Sequence, residues 1–304
     1  MEIPESLCDG ESLHIAPLLA SAYLESLQAH GLSEMASGLR PDPAPVGGLT
    51  REATDEHFAH AFDGSAARVQ LALLDPLREV PAAAGKLRQF LSGGTLCLTD
   101  VPGGAGAGAL SLLCSIAELR AQNVLPREPL NVKLLWGEIS EPALSYAEDL
   151  LLRVIEQLAE QAIFVSYECF NWDVLSERSN AELVERIVIE KSKPSQVLIL
   201  ISNFNGFLER GGKKDAAFPQ LKELFKYGSG KLNAAIWIEP DMKAAKLKLF
   251  PFIIDKLAKL VGFAKPSLDG GGNQTTHFKF FIPIRPPSTA NVRLCVMPIE
   301  LDKG

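Results

Sequence analysis

A carboxylate followed at once by a run of glycines is the arrangement in this chain with the plainest chemical meaning. Asp100 closes the short apolar run Thr95-Leu-Cys-Leu-Thr99, and Val101-Pro-Gly-Gly-Ala-Gly-Ala-Gly108 follows it. Glycines let a backbone approach a ligand closely, because no side chain intervenes. The start of the next helix adds free N–H groups. Gly104, Gly106 and Ala109 loosely fit the dinucleotide pattern G-x-G-x-x-G/A. That pattern calls for an acid about 20 residues on, whereas the next acid at a strand end is Glu138, 32 residues beyond Gly106. Asp100 would also repel a pyrophosphate and attract a cation. Two ligand classes stay open at this point: a dinucleotide, with nicotinamide-dependent redox chemistry, and a cationic small molecule.

Other reactive side chains are sparse. His57 and His60 stand three apart and could share a metal or act as a base, but a solvated or capped pair is the plainer reading. The five cysteines lie at 8, 97, 114, 169 and 295. Their odd number and wide spacing support no disulfide framework, zinc knuckle or iron–sulfur ligand set. Cys97 and Cys114 fall in apolar runs and read as small core residues. No metal is expected.

These residues must be carried by a framework. The 304 residues suffice for one large domain or two modest ones. Apolar residues make up 47% and charged residues 22%, which excludes disorder along the whole chain. Mean hydropathy is +0.10, and no uninterrupted apolar run of about 18 residues argues for a membrane span. The opening MEIPESLCDGE lacks a basic segment, so a cytoplasmic location is expected. Net charge is −7, yet residues 1–100 carry −8 and residues 190–265 carry +7. The lysine-rich stretch is a candidate surface for RNA or another polyanion. Its plainer reading is a solvated helix face, since Lys213, Lys214, Lys222, Lys226, Lys243, Lys246 and Lys248 recur at roughly helical intervals.

Apolar periodicity predicts a helix over 12–39, and RPDPAPVGGLT (40–50) reads as a loop. Thr54 would cap a helix ending near Asp63-Gly64, with a second helix following and a third over 82–91. Strands are expected over 95–99, 131–136, 163–169, 196–202 and 233–238. Helices are expected over 109–121, 141–161, 180–190, 217–227 and about 241–262. Such alternation implies right-handed crossovers and a mostly parallel sheet with helices on both faces. Residues 278–284 and 292–301 read as a closing antiparallel hairpin, and 266–276 as a loop. The expectation is therefore a doubly wound α/β fold with a mostly parallel seven-stranded sheet, a C-terminal antiparallel hairpin and an N-terminal helical cap. Residues 1–90 would form the cap and 91–304 the ligand-binding domain.

Over about 90–304 the ordered set of motifs resembles the class I S-adenosylmethionine-dependent methyltransferases. Their first motif is an acid and a glycine-rich turn, roughly D-x-G-x-G-x-G. Asp100-Val-Pro-Gly-Gly-Ala-Gly106 matches it with Pro102 in place of the first glycine. Trp136-Gly-Glu-Ile-Ser-Glu-Pro-Ala-Leu-Ser-Tyr-Ala147 looks like the end of the family's second strand and the turn beyond it. Phe170-Asn-Trp-Asp-Val174, Ser202-Asn-Phe-Asn-Gly206 and Glu239-Pro240 stand at the next three strand ends.

The resemblance implies S-adenosylmethionine as methyl donor and a cofactor site of Asp100, Pro102, Gly103, Gly104, Gly106, Glu138, Ile139, Trp172, Asp173 and Asn203. Asp100 would favour the cationic donor. Glu138 would hold both ribose hydroxyls, with Ile139 against the adenine. Asp173 would accept from the adenine amino group, with Trp172 or Val174 beside the ring. Arg68, in the region expected to cover the donor, could pair with its carboxylate, a surface salt bridge being the plainer reading. Asn203 and Phe204 are candidates for the transfer end, and no catalytic base is identified. The motif at 202–206 is not N-P-P-Y, so transfer to a base amino group has no support. The acceptor would be RNA, a protein or a small molecule. The alternative is a protein of the same fold that binds the cofactor, or a protein partner, without turnover.

Overall fold

A computed structural model describes residues 2–42, 45–231, 233–241 and 274–301. The expected helix around 241–262 and most of the expected loop 266–276 lie outside these residues, as do Lys243, Lys246 and Lys248.

The first strand of the alternating region, β2 (Gly94–Asp100), is apolar and closes in five buried residues. Around it stand β3 (Leu130–Glu138), β4 (Ile163–Asn171), β5 (Gln196–Ser202) and β6 (Ala234–Pro240), all mutually parallel in the order β4-β3-β2-β5-β6. This is the doubly wound order, which reverses direction between β2 and β5 and opens a crevice beyond their carboxyl ends. The connecting helices are α5 (Ala107–Ala121), α6 (Glu141–Glu160), α7 (Glu177–Lys191) and α9 (Lys214–Gly228). A short helix, α8 (Asn205–Glu209), precedes α9 and was not expected.

The two closing strands are β7 (Gln274–Phe281) and β8 (Thr289–Glu300). They form the expected antiparallel pair, with β8 inserted beside β6 and β7 outside it. Among the described residues the sheet has eight strands rather than seven. Ser12 and Leu13 form β1, which pairs in parallel with Lys279 and Phe280 at the margin. The 12–39 segment is consequently no single helix. Pro17, whose fixed φ suits a first helical position, starts α1 (Pro17–Ala29), and α2 (Ser33–Ser37) follows.

A second correction concerns α3 (Arg51–Leu74), one helix of 24 residues where two were expected. Thr50, not Thr54, caps it by accepting the N–H of Ala53. The helix runs through Asp63-Gly64 because Asp63 turns inward and is satisfied there by the Arg40 guanidinium. Burial of Phe58, Phe62, Ala66, Val69 and Leu73 offsets the roughly 1 kcal/mol cost of an interior glycine. The next helix, α4 (Pro81–Leu91), begins on a proline.

Side chains alternate between the two faces of the sheet. Leu96, Leu98, Leu198 and Leu200 pack with α1, α3, α5 and α6, while Cys97, Val197, Ile199 and Ile201 pack with α7, α8 and α9. Both faces are therefore covered, as a central parallel sheet requires. Residues of α1 to α4 share the first of these cores rather than having a core of their own. No helix among the described residues is long and apolar enough to cross a membrane.

Candidate functional site

The carboxyl ends of β2, β3, β4 and β5 open into a cavity of about 460 Å³. Its floor is the turn after β2. The glycines of that turn do different work from one another. A Cβ at Gly103 would stand 2.1 Å from Trp136 Cδ1, and one at Gly106 would stand 2.4 Å from Trp136 Cζ2. These two glycines thus make room for the protein's own buried indole, not for a ligand. Gly104, with φ of +53° and no heavy atom within 4 Å of its Cβ position, is where the turn stays open.

Asp100 lies beneath the loop and does not line the cavity, contrary to the expectation that it would stand beside a ligand. Its Oδ2 accepts the N–H of Ala109 at 2.9 Å, anchoring the first turn of α5. The Trp136 indole N–H is near enough to favour the anion but outside hydrogen-bond geometry. Burial dominates and pushes the Asp100 carboxyl up to about 8.

Glu138, at the end of β3, does line the cavity. Its Oε1 accepts from Ile139 N at 2.9 Å and Ser140 N at 3.0 Å, and its Oε2 from Gly104 N at 2.9 Å. A carboxylate offers about four acceptor positions, so one remains, on Oε2. A sugar would meet one hydroxyl contact there; gripping both hydroxyls would displace a backbone bond. Burial raises the Glu138 pKa, opposed by these three N–H groups.

Pro102, Gly103, Gly104, Ile139, Trp172, Asp173, Asn203 and Phe204 also line the cavity, whereas Gly106 does not. Val101–Pro102 is a cis peptide. Asp173 Oδ1 accepts from Leu175 N at 2.9 Å in a local turn, which leaves Oδ2. Trp172 is buried, and Phe204 and then Phe207 continue its aromatic wall at centroid separations of 6.0 and 5.5 Å. Asn203 holds a left-handed backbone at φ +56°, and its Oδ1 accepts from Arg68 Nε at 2.8 Å. Arg68 reaches Ser65 as well, so it braces the wall through neutral partners rather than forming a surface salt bridge.

Behind this wall Glu239, fully buried at the end of β6, accepts from Phe204 N, Asn205 N and Trp237 Nε1 at 2.9, 2.9 and 2.7 Å. Burial pushes its carboxyl up to about 7.

The segment 46–49, Phe207 and Arg210 also line the cavity and were not singled out by sequence. The segment 46–49 lies over the cavity beside α3. Gly47 packs on the His57 ring, with its Cβ position 3.6 Å away. Thr54 ties this segment down by donating to Gly48 O at 3.1 Å and meeting Ser140 Oγ at 3.2 Å. His57 faces the cavity, while His60 is buried elsewhere near Arg40 and Arg285, so the two share no site. Burial, then Arg68 and Arg210, push the His57 imidazole down to about 4, leaving it neutral at pH 7. Phe207, Arg210 and Lys213 complete the wall. Among the described residues no group of three or more His, Cys, Asp or Glu could hold a metal ion.

No protein-family model matches the chain, and no curated protein sequence matches it. Among solved structures it is similar to a Methanococcus maripaludis protein provisionally designated an S-adenosyl-L-methionine-dependent methyltransferase. Identity is 11%, the match covers 88% of this chain and 99% of the other, and the TM-score is 0.35. At that score the likeness adds nothing to what the strand order itself establishes.

Proposed function

We propose that the protein is an S-adenosylmethionine-dependent methyltransferase whose donor lies between the turn after β2 and the ends of β3 and β4. The observation that carries this reading is Glu138. It is a buried carboxylate at the strand end next to the glycine turn, facing a cavity and keeping one acceptor position on Oε2. That suits a ribose hydroxyl. Ile139 and Trp172 give an adenine apolar flanks, and Asp173 Oδ2 gives its amino group an acceptor. Gly104 admits close approach. The strand order and its switch point at β2 and β5 add support.

When bound, the donor supplies an activated methyl on a sulfonium. The chain's part is then to orient the acceptor and to exclude water. The segment 46–49, held by Thr54, and the aromatic wall of Trp172, Phe204 and Phe207 serve these ends. Asn203, braced by Arg68, stands at the end of β5 where an acceptor would be held. Asp100 takes a supporting role here, anchoring α5 rather than touching the donor.

The test is incubation of the full chain with methyl-labelled S-adenosylmethionine and fractionated metabolites, protein and RNA. Label transferred to one fraction, and lost in Glu138→Ala, is expected. Binding of the donor with no transfer to any fraction would favour the non-catalytic alternative of the same fold.

A further inference from the structure

The cavity is chemically divided. Its end near β3 and β4 carries Glu138 and Asp173, whereas its far wall, between α8 and α9, carries Arg210 and Lys213. The aromatic wall joins the two ends. Phe207 stacks on Phe204 with their planes 9° apart, and Lys213 Nζ sits 3.9 Å over the Phe207 ring. The acid adjoining Arg210, Glu209, is taken by Lys214. Neither Arg210 nor Lys213 is paired with a carboxylate among the described residues. Across from them His57 presents a neutral imidazole, close enough to Arg210 and Arg68 to feel both charges.

We propose that this basic end of the cavity is a subsite for the anionic group, carboxylate or phosphate, of a small planar acceptor. The inference rests on the methyltransferase reading for the word acceptor, but the anion site itself does not need it. Two unpaired cations at the edge of an aromatic wall recognise an anion on a flat molecule. The guanidinium supplies paired N–H donors and the ammonium a point charge. The faces of Phe207 meet Phe204 and Lys213, and its edge borders the subsite, which suits an edge-on contact with the ring that carries the anion. His57 can exchange a hydrogen bond with it, being uncharged at pH 7. A polyanion such as RNA is the less favoured occupant, because Lys191, Lys193 and Lys226 stand at the ends of α7 and α9 that lead into β5 and β6, on the opposite edge of the sheet from the cavity.

The experiment titrates the full chain, without donor, with inorganic phosphate in one arm and 4-hydroxybenzoate in the other. Binding is followed by calorimetry and by the His57 imidazole resonances in NMR. An anion seated between Arg210 and Lys213 should stabilise the imidazolium, moving the His57 titration up by about one pH unit. Binding and shift should both be lost in the double variant Arg210→Gln, Lys213→Gln, with affinity falling roughly tenfold to a hundredfold. Circular dichroism of the variant checks that the fold persists, and the single Arg210→Gln change, at an exposed position, gives the same test if it does not. The arm that binds tells phosphate from carboxylate. Failure of both anions to bind, binding that leaves His57 unmoved, or charge-dependent binding of an oligoribonucleotide but of neither small anion would overturn the proposal. Anion binding that persists while S-adenosylhomocysteine fails to bind would instead overturn the donor assignment alone.

Discussion

Glu138 Oε2 accepts the backbone N–H of Gly104 at 2.9 Å, so the carboxylate at the end of β3 holds the turn that follows its neighbour β2. Glu239 repeats the arrangement one step along the sheet, where it ends β6 and holds the backbone after β5. The crevice at the switch point is thus shaped from both sides by buried acids that grip loop N–H groups. Replacing Glu138 by Gln puts an amide donor against one of three donors. We expect a loss of about 1–3 kcal/mol in urea denaturation, with S-adenosylhomocysteine affinity lowered by roughly tenfold or more. Wild-type stability and affinity in this variant would refute the clamp.

The three buried acids make stability depend on pH in a direction opposite to that of ordinary ion-paired carboxylates. Asp100 titrates near 8 in the folded protein against 3.8 ordinarily, Glu239 near 7 against 4.5, and Glu138 is also raised. A folded state that holds protons more tightly is favoured in full below the unfolded values, and that advantage is lost as the pH rises through the folded ones. Asp100→Asn keeps an acceptor for Ala109 N–H and removes the titration. It should match the wild type near pH 4 and exceed it at pH 8 by about 1 kcal/mol or more. Chemical denaturation across that range measures the difference, and a variant that is weaker at pH 8 contradicts the account.

Gly103 and Gly104 are adjacent yet should respond differently to a methyl group. At Gly103 the new Cβ meets the Trp136 ring at 2.1 Å, a buried indole with no room to withdraw. Gly103→Ala should therefore cost about 1–3 kcal/mol or more. At Gly104 nothing stands within 4 Å, and only the left-handed φ of +53° is penalised, at about 1–2 kcal/mol. The signature of a ligand-facing position is that Gly104→Ala lowers S-adenosylhomocysteine affinity out of proportion to its small shift in melting temperature. Equal affinity in wild type and Gly104→Ala would move the donor away from this turn.

How far the sequence alone reaches is seen at the same turn. The strand, the glycine run and the helix after it are all legible, because an apolar run ending in an acid and glycines is a local pattern. Which glycine faces a ligand is not, since that depends on Trp136, 33 residues beyond Gly103 and brought underneath by the register of β2 on β3. The inward turn of Asp100 was hidden for the same reason. Its partner, Ala109 N, is close in sequence, but burial decides which way the carboxylate points. The continuity of α3 was hidden by Asp63-Gly64, a local stop signal overridden by the distant Arg40. That the loop segment 46–49 covers the cavity is not legible either, because Thr54, which holds Gly48 O, is itself placed against the distant Ser140.

Asn203 supplies a prediction that separates backbone from side chain. Its left-handed φ of +56° suits Gly or Asn, and its Oδ1 receives Arg68 Nε. Asn203→Gly should keep stability within about 1 kcal/mol, while Asn203→Val, β-branched in that conformation, should cost about 1–3 kcal/mol. If Asn203 holds the acceptor, Asn203→Gly lowers kcat while donor affinity stays close to that of the wild type. A fall in donor affinity with kcat preserved would assign Asn203 to the donor instead.

If the donor nucleoside is held against Glu138, calorimetry of the full chain with S-adenosylhomocysteine should show one site per chain with micromolar affinity, weakened at least roughly tenfold in Glu138→Ala. No heat of binding at high micromolar ligand, or an affinity indifferent to Glu138, would remove the donor from this site.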